Sequence, residues 1–209
     1  MKSVKVKGYE VLKRIFDFLM SLIAIIILSP VILIVALAVK FTSPGPMLFK
    51  QRRIGKDNIE FKIYKFRTMR IDTPNVPTHL LENPEQWITP VGKFLRKTSL
   101  DELPQLFNIL KGEMSIVGPR PALYNQIDLR DMRTAVGIHK LIPGLTGWAQ
   151  INGRDEIPLS LKVSLDKEYL DRKNFLFDIK IILMTVLSVI KSEGVQEGKA
   201  KNNNEKVTV

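Results

Sequence analysis

Cysteine is absent from this 209-residue chain, which removes disulfides, thiol nucleophiles and zinc–thiolate sites together. Histidine is nearly absent. His79 and His139 are far apart in sequence, so no histidine-based metal cluster is expected. Any metal should then be a hard cation held by oxygen ligands, and Mg²⁺ is the natural choice beside phosphate. Aromatic residues make up 8% of the chain, without the alternation of aromatic and basic residues that a single-strand binder uses, so nucleic acid is not an expected partner. Acidic residues are also in deficit: 32 Lys and Arg stand against 21 Asp and Glu, a net charge of +11. That balance favours an anionic membrane surface or phosphorylated substrates. No internal repeat is visible, and the length suits one domain or one domain with a small appendage.

What the chain does have is one long apolar run, Ile15 to Val39, interrupted by Asp17, Ser21 and Ser29. As a helix it would be about 37 Å long, enough to cross a bilayer core of about 30 Å. It is too long for a secretory signal peptide and no small-residue cleavage site follows it. Pro30 removes a helical hydrogen bond and biases Ser29 away from helical angles. Lys2, Lys5, Lys7, Lys13 and Arg14 precede the run, and Lys40, Lys50, Arg52, Arg53 and Lys56 follow it, which draws both ends to the cytoplasmic face. The expected geometry is a helix broken at Ser29-Pro30 that dips into one leaflet and returns. A kinked spanning helix is the alternative.

Beyond a turn at Thr42–Pro46, Met47–Gln51 and Glu60–Phe66 read as strands of a basic hairpin around Gly55–Asn58. Lys65 and Arg67 are placed to meet phosphate or headgroup. Asp72–Asn83 is a proline-rich loop, and Thr89-Pro90 opens a short helix ending near Arg96-Lys97. Ala122–Val136 reads as a helix with Asp128, Arg130, Asp131 and Arg133 outward, closed by Gly137. Pro143–Arg154 is turn-rich, its glycines allowing close approach to a ligand. Trp148 there suits either a nucleotide base or core packing, and Arg154 a phosphate. Ser160–Asp171 is a further helix. Phe175–Ile190, too short to span, is a helix for the membrane interface or the core.

The centre of the sequence is Thr98–Pro121. A helix is expected from near Asp101 to Leu110, with Pro104 in its first turn, Gly112 as its stop and Leu103, Leu106, Phe107 and Leu110 on its buried face. Ser99 with Glu102 matches a capping box, so the pair Asp101-Glu102 reads first as capping. It also reads as chemistry: a carboxylate at the positive end of a helix stays ionised and is a candidate nucleophile, with a neighbour able to share a divalent cation. Downstream, Pro119 and Pro121 fix the backbone around Arg120, a guanidinium pre-organised to grip a diphosphate. Together these form a phosphoryl-transfer inventory.

The sequence K-R-x-F-D before the apolar run, K-F-R-T-M (Lys65–Met69), D-E-L-P-Q-L (Asp101–Leu106), S-I-V-G-P-R-P (Ser115–Pro121) and P-G-L-T-G-W-A-Q-I-N-G-R (Pro143–Arg154) occur in that order. This pattern resembles the bacterial sugar transferase family, the monotopic polyprenyl-phosphate phosphoglycosyl transferases, over about Lys13 to Val195, in its minimal catalytic form. The resemblance implies an α+β, mostly helical fold. Residues 1–40 would be a lead-in with a re-entrant membrane helix, 41–190 a catalytic domain with a small hairpin and interfacial helices, and 191–209 a disordered polar tail.

The implied activity moves a sugar 1-phosphate from a UDP-sugar to polyprenyl phosphate, releasing UMP, at the cytoplasmic face of a bacterial membrane in glycoconjugate synthesis. Asp101 would be the nucleophile, Glu102 (with Asp101) the Mg²⁺ ligand and Arg120 the group that neutralises developing charge. Lys65, Arg67, Arg96, Pro119, Pro121, Arg154 and Asp166 would meet substrate. Ile71–Thr78 and Pro121–Gln126 resemble relatives that use N-acetylated 6-deoxy sugars, while Asp155-Glu156 departs from the family's usual asparagine and leaves the sugar open. Whether the protein forms homo-oligomers is also left open. The rivals are a membrane-tethered binding protein whose basic face holds nucleic acid or anionic lipid, and a glycosyltransferase that releases UDP.

Overall fold

The structure, a computed structural model, describes residues 2–74, 83–153 and 157–190. Arg154, Asp155-Glu156, most of the proline-rich loop and the polar tail lie outside them. The architecture is α+β and mostly helical. The first helix, α1 (Lys2–Thr42), has 41 residues, a length of about 60 Å. A hairpin follows, β1 (Leu48–Ile54) antiparallel to β2 (Glu60–Phe66), with Leu48 opposite Phe66 and Ile54 opposite Glu60. Then come α2 (Pro90–Thr98), α3 (Gln105–Lys111), β3 (Ser115–Val117) and α4 (Ile127–Ala135). The chain finishes with β4 (Gly144–Thr146), α5 (Trp148–Ile151), α6 (Leu159–Arg172) and α7 (Phe175–Ile190). β3 and β4 pair in parallel, an element no periodicity signalled.

The helix α1 runs unbroken through Pro30, contrary to the expected break at Ser29-Pro30. Proline leaves the carbonyl four residues back, that of Ile26, without its amide partner. The Ser29 hydroxyl donates to that carbonyl at 2.8 Å, so the serine of the pair repairs the bond its proline removes. Near its start, Tyr9 and Lys13 of α1 donate to the buried Asp178 of α7 at 2.8 and 2.7 Å.

One stripe of α1 is buried along its length. Asp17, Ser21, Val35 and Val39 lie at helical spacing, with Ala24, Ile25 and Ile32 partly buried between them. Its far end joins the same body, where Arg67 donates to the Ser43 carbonyl and hydroxyl at 2.8 and 2.6 Å. The opposite face, including Leu12, Ile15, Leu19, Ile23, Ile26, Ile27, Leu33, Ile34 and Phe41, is exposed and apolar. It is the one helix among the described residues long and apolar enough to cross a membrane.

Each residue of K-R-x-F-D has a separate socket. Lys13 pairs with Asp178; Arg14 donates to the Ile109 and Leu110 carbonyls at 2.6 and 2.7 Å; Phe16 meets Phe175 edge-on; Asp17 accepts the Ile116 amide at 3.0 Å. Arg14 thus places a cation at the C-terminus of α3, where the last carbonyls lack partners.

The helix expected from Asp101 instead begins at Gln105. Asp101 and Glu102 occupy a 3₁₀ turn (Leu100–Glu102) before it, and Pro104 caps it. Ser99 adopts φ 56° while closing α2, so its side chain makes no capping box. Gly112 does end the helix, at φ 85°, its amide directed to Asn108 and Ile109 carbonyls. The buried face differs too: Phe107 is exposed, whereas Gln105, Leu106, Asn108 and Ile109 are buried. Asn108 belongs inside because it is fully bonded. It accepts from the Tyr64 amide and donates to the Lys62 carbonyl and to Glu113, at 3.0, 2.8 and 2.7 Å, fastening α3 to β2.

Candidate active site

The hairpin and the 3₁₀ turn converge. Lys65, near the end of β2, extends its ammonium to within 2.6 Å of Glu102 Oε1 and 3.8 Å of Asp101 Oδ2. Leu100 and Leu103, on either side of the two carboxylates, pack on Val35, Val39, Phe66 and Leu95. The turn therefore packs into a cluster that α1, β2 and α2 build together. Asp101 is buried at 7% exposure, while about a fifth of the Glu102 side chain is open.

Arg120 approaches the same oxygen, its Nη2 lying 3.7 Å from Glu102 Oε1. Burial alone would raise the Glu102 pKa, but Lys65 and Arg120, with Gln105 assisting, outweigh it and hold the carboxyl at about 2. One carboxylate is thereby held fully ionised between two cations.

The Gly118–Pro121 turn that carries Arg120 has an unusual constraint. Its two prolines have no N–H, so the turn can be gripped mainly through its carbonyls. Three of the four are taken: Pro119 by the Gly144 amide at 2.9 Å, Arg120 by Arg133 Nη1 at 2.8 Å and Pro121 by Arg53 Nη1 at 3.1 Å. Gly144 and Gly147 pass so close to Gly118 that a Cβ on either would lie 2.1 Å from its backbone. These glycines serve the approach of two chain segments, where the sequence suggested approach to a ligand.

The structure thus brings Asp101, Glu102, Lys65, Arg120, Pro119 and Pro121 together. Of the other expected substrate residues, Arg67 and Asp166 sit elsewhere, while Arg96 lies in the last turn of α2, just before the turn that carries Asp101. Arg67, 6% exposed, turns toward Ser43 at the end of α1. Arg96 donates Nε to Thr68 Oγ1 at 2.9 Å, joining α2 to the K-F-R-T-M segment. Asp166, 1% exposed, is bound by Arg133 through Nε and Nη2 at 3.0 and 2.5 Å. Arg133 itself is buried, although its helix was expected to turn it outward. The signal was available: Leu129 and Arg133 lie four apart on the inward stripe of α4. Arg53 and Gln105 were missed as well, and carried no such signal. Trp148 takes the packing role, with Nε1 donating to Glu168 at 2.8 Å and its ring against Phe177.

Among the described residues no group of three or more acidic or histidine side chains is gathered to hold a metal. Asp101 and Glu102 supply hard oxygen donors, and Mg²⁺ is commonly bound by one or two carboxylates completed by substrate phosphate. The pair fits half of such a site, the other half being a diphosphate.

A pair of acidic groups between a lysine and a proline-framed arginine defines a site for charge-dense phosphoryl chemistry. A family model for bacterial sugar transferases matches residues 8–192, and the chain belongs to that family. It is 44% identical over 185 residues to the UDP-glucose:undecaprenyl-phosphate glucose-1-phosphate transferase of Escherichia coli K12, an alignment covering 85% of this chain and 40% of that one. With the uncharacterized sugar transferase EpsL of Bacillus subtilis it shares 42% over 187 residues, 90% of this chain and 91% of EpsL. With the UDP-N-acetylgalactosamine-undecaprenyl-phosphate N-acetylgalactosaminephosphotransferase of Aeromonas hydrophila it shares 36% over 193 residues, 90% and 46%. The chain therefore spans less than half of two of these relatives and nearly all of the third.

Proposed function

We propose that this protein transfers a sugar 1-phosphate from a UDP-sugar to polyprenyl phosphate, forming a polyprenyl diphosphate sugar and UMP. The observation that carries this reading is the cluster of Asp101, Glu102, Lys65 and Arg120. An Asp101 carboxylate oxygen attacks the sugar-bearing phosphorus. The bond from that phosphorus to the bridging oxygen breaks, and UMP leaves with the electron pair. An oxygen of the lipid phosphate then attacks the same phosphorus and the aspartyl–phosphorus bond breaks, restoring the carboxylate. Arg120 and Lys65 face the charge that develops on the transferred group. Glu102, ionised throughout, holds both cations in place, and it and Asp101 are the residues that would bind Mg²⁺. That ion would neutralise diphosphate charge. The relatives' names support the donor and acceptor classes, but two of them name different sugars, glucose and N-acetylgalactosamine.

The same reading places the protein in one leaflet of the bacterial cytoplasmic membrane, with its site at the cytoplasmic headgroup level where a lipid phosphate lies. Both ends of α1 are fastened to one body, as a re-entrant, monotopic helix requires, and Pro30 is the point at which such a helix would bend. The exposed faces of α1 and α7, the latter including Leu176, Leu183 and Leu187, would meet lipid. Because the chain has no native cysteine, single cysteines at Gly8 and Ser43 allow labelling from each side. Labelling of the two from opposite faces would overturn this topology.

The function is tested with purified protein, Mg²⁺, polyprenyl phosphate and a panel of UDP-sugars that includes glucose, N-acetyl and 6-deoxy N-acetyl forms. UMP should appear with an accepted donor. Asp101→Asn should lower its release by at least about 1,000-fold while leaving the fold intact. Release of UDP would make the reaction a sugar transfer without phosphate. Full activity in Asp101→Asn would remove that residue from the mechanism.

A further inference from the structure

We infer that Gln105 is a positioning residue whose side-chain amide receives the Glu102 carboxylate when Lys65 and Arg120 share their charge with the transferred phosphoryl group. The inference rests on the proposed transfer reaction and on the place of Glu102 in it.

A donor and an acceptor stand side by side here without bonding. Gln105, the first residue of α3, is 2% exposed, and its Nε2 is buried without a hydrogen-bond partner. An amide nitrogen taken from water and left unbonded is costly, and native proteins contain few. Glu102 is under-used in its turn. Among the described residues it accepts one hydrogen bond, from Lys65 to Oε1, although an ionised carboxylate has about four lone-pair sites. Packing alone does not call for glutamine at this position, since methionine would fill a similar space with no donor to satisfy.

The backbone brings the two side chains together. Leu103 and Pro104 between them have helical angles, φ −52° and ψ −37°, then φ −63° and ψ −14°. Residues 102 and 105 therefore lie three apart on one helical face. Gln105 is close enough to add to the lowering of the Glu102 pKa. Beside an ionised carboxylate the amide presents its nitrogen, because its oxygen would be repelled.

Substrate changes the balance. Phosphoryl oxygens draw Lys65 and Arg120 toward themselves, and the pull of both on Glu102 weakens. The carboxylate then keeps its charge and its place by taking another donor, and Gln105 is the neighbour with no other bond to break. Being neutral, the amide competes weakly with Lys65 in the free protein and takes over as the cations turn away.

The experiment uses the full-length protein in lipid nanodiscs with Mg²⁺, polyprenyl phosphate and an accepted UDP-sugar. It follows UMP release across pH alongside thermal unfolding. Gln105→Met should keep or raise the melting temperature, because it removes an unbonded buried donor. Its kcat should fall roughly 10- to 100-fold, the scale of one hydrogen bond to a charged group, with donor KM changed far less. The acid limb of kcat, which reports groups in the substrate-bound enzyme, should move to higher pH, since Glu102 loses a donor that favours its ionised form. In a Glu102→Gln background the same substitution should cost less than about threefold more, because the two side chains act as one unit. If Gln105→Met does not fold, Gln105→Asn, whose amide falls one methylene short, decides by the same pH profile. Wild-type kcat with an unmoved acid limb would overturn the inference. So would a full further loss in the Glu102→Gln background, or a loss of kcat that simply follows a loss of stability. UMP release by the wild type separates the two failures. Without it the transfer reading falls and the role of Gln105 with it; with it, an unimpaired variant removes Gln105 alone.

Discussion

Two carboxylates in this protein are each bound to basic side chains at hydrogen-bond distance, and their pKa values move in opposite directions. Glu102, between Lys65 and Arg120, is held at about 2, because two cations overcome its burial. Asp166, gripped by Arg133, is raised above the ordinary range, because its burial outweighs the guanidinium and Lys162. Burial is the largest influence on both, and the difference lies in whether the nearby cations together outweigh it. A fifth of Glu102 is open to water, against 2% of Asp166. The open cluster can exchange a protein partner for a substrate oxygen, whereas the closed one can only hold what it holds. A salt bridge is therefore no indicator of function in itself, and its access to an incoming charge is what separates the two.

Substitutions test that contrast. Glu102→Gln should lower kcat about 100- to 1,000-fold, since an amide cannot hold two cations, in a protein that still folds with a lowered melting temperature at neutral pH; a fall in melting temperature with kcat unchanged would make the open cluster structural. Arg120→Lys should be impaired too, because an ammonium lacks the fork, and near-normal kinetics would demote it. The closed cluster should answer mainly in stability: Asp166→Leu alone leaves a buried guanidinium without its carboxylate and should cost about 3–5 kcal/mol in urea unfolding.

A smaller effect is expected with pH. The Glu102 pKa is lowered on folding, so its stabilising contribution is present above the ordinary value of 4.5 and is lost as pH falls toward about 2. Glu102→Gln should accordingly flatten the acid limb of the melting curve. Asp166 works in the other sense: its pKa is raised, so its contribution is present at low pH and lost as pH rises through the raised value. The smallest effect belongs to an exposed pair. Glu60, bound to Arg52 at the open edge of the hairpin, should tolerate Glu60→Gln with no measurable change in UMP release or melting temperature.

The parts of the site that chemistry marks by residue type were legible in the sequence: the adjacent acids, the proline-framed arginine, the lysine of K-F-R-T-M. The parts that depend on non-local contacts were not. Arg133 looked like one more charge on a solvated helix, and only its spacing from Leu129 hinted otherwise. The helix at Asp101 started late because Ser99 closes α2 in a left-handed conformation, a role settled by its preceding helix. Ser29-Pro30 reads as a break by propensity, yet the serine hydroxyl supplies what the proline withholds. The four sockets of K-R-x-F-D lie on α3, β3 and α7, so no local pattern announces them.

Those sockets set an order for biosynthesis. Arg14, Asp17 and Lys13 reach partners 95, 99 and 165 residues later in the chain. The ribosome therefore delivers α1 long before the groups that neutralise it exist, and the carboxylate that receives Lys13 is among the last described residues to be made. During that interval the helix has a long apolar face and no body to lie on. Its apolar face is therefore made before any partner for it exists, and the body assembles around a helix already formed.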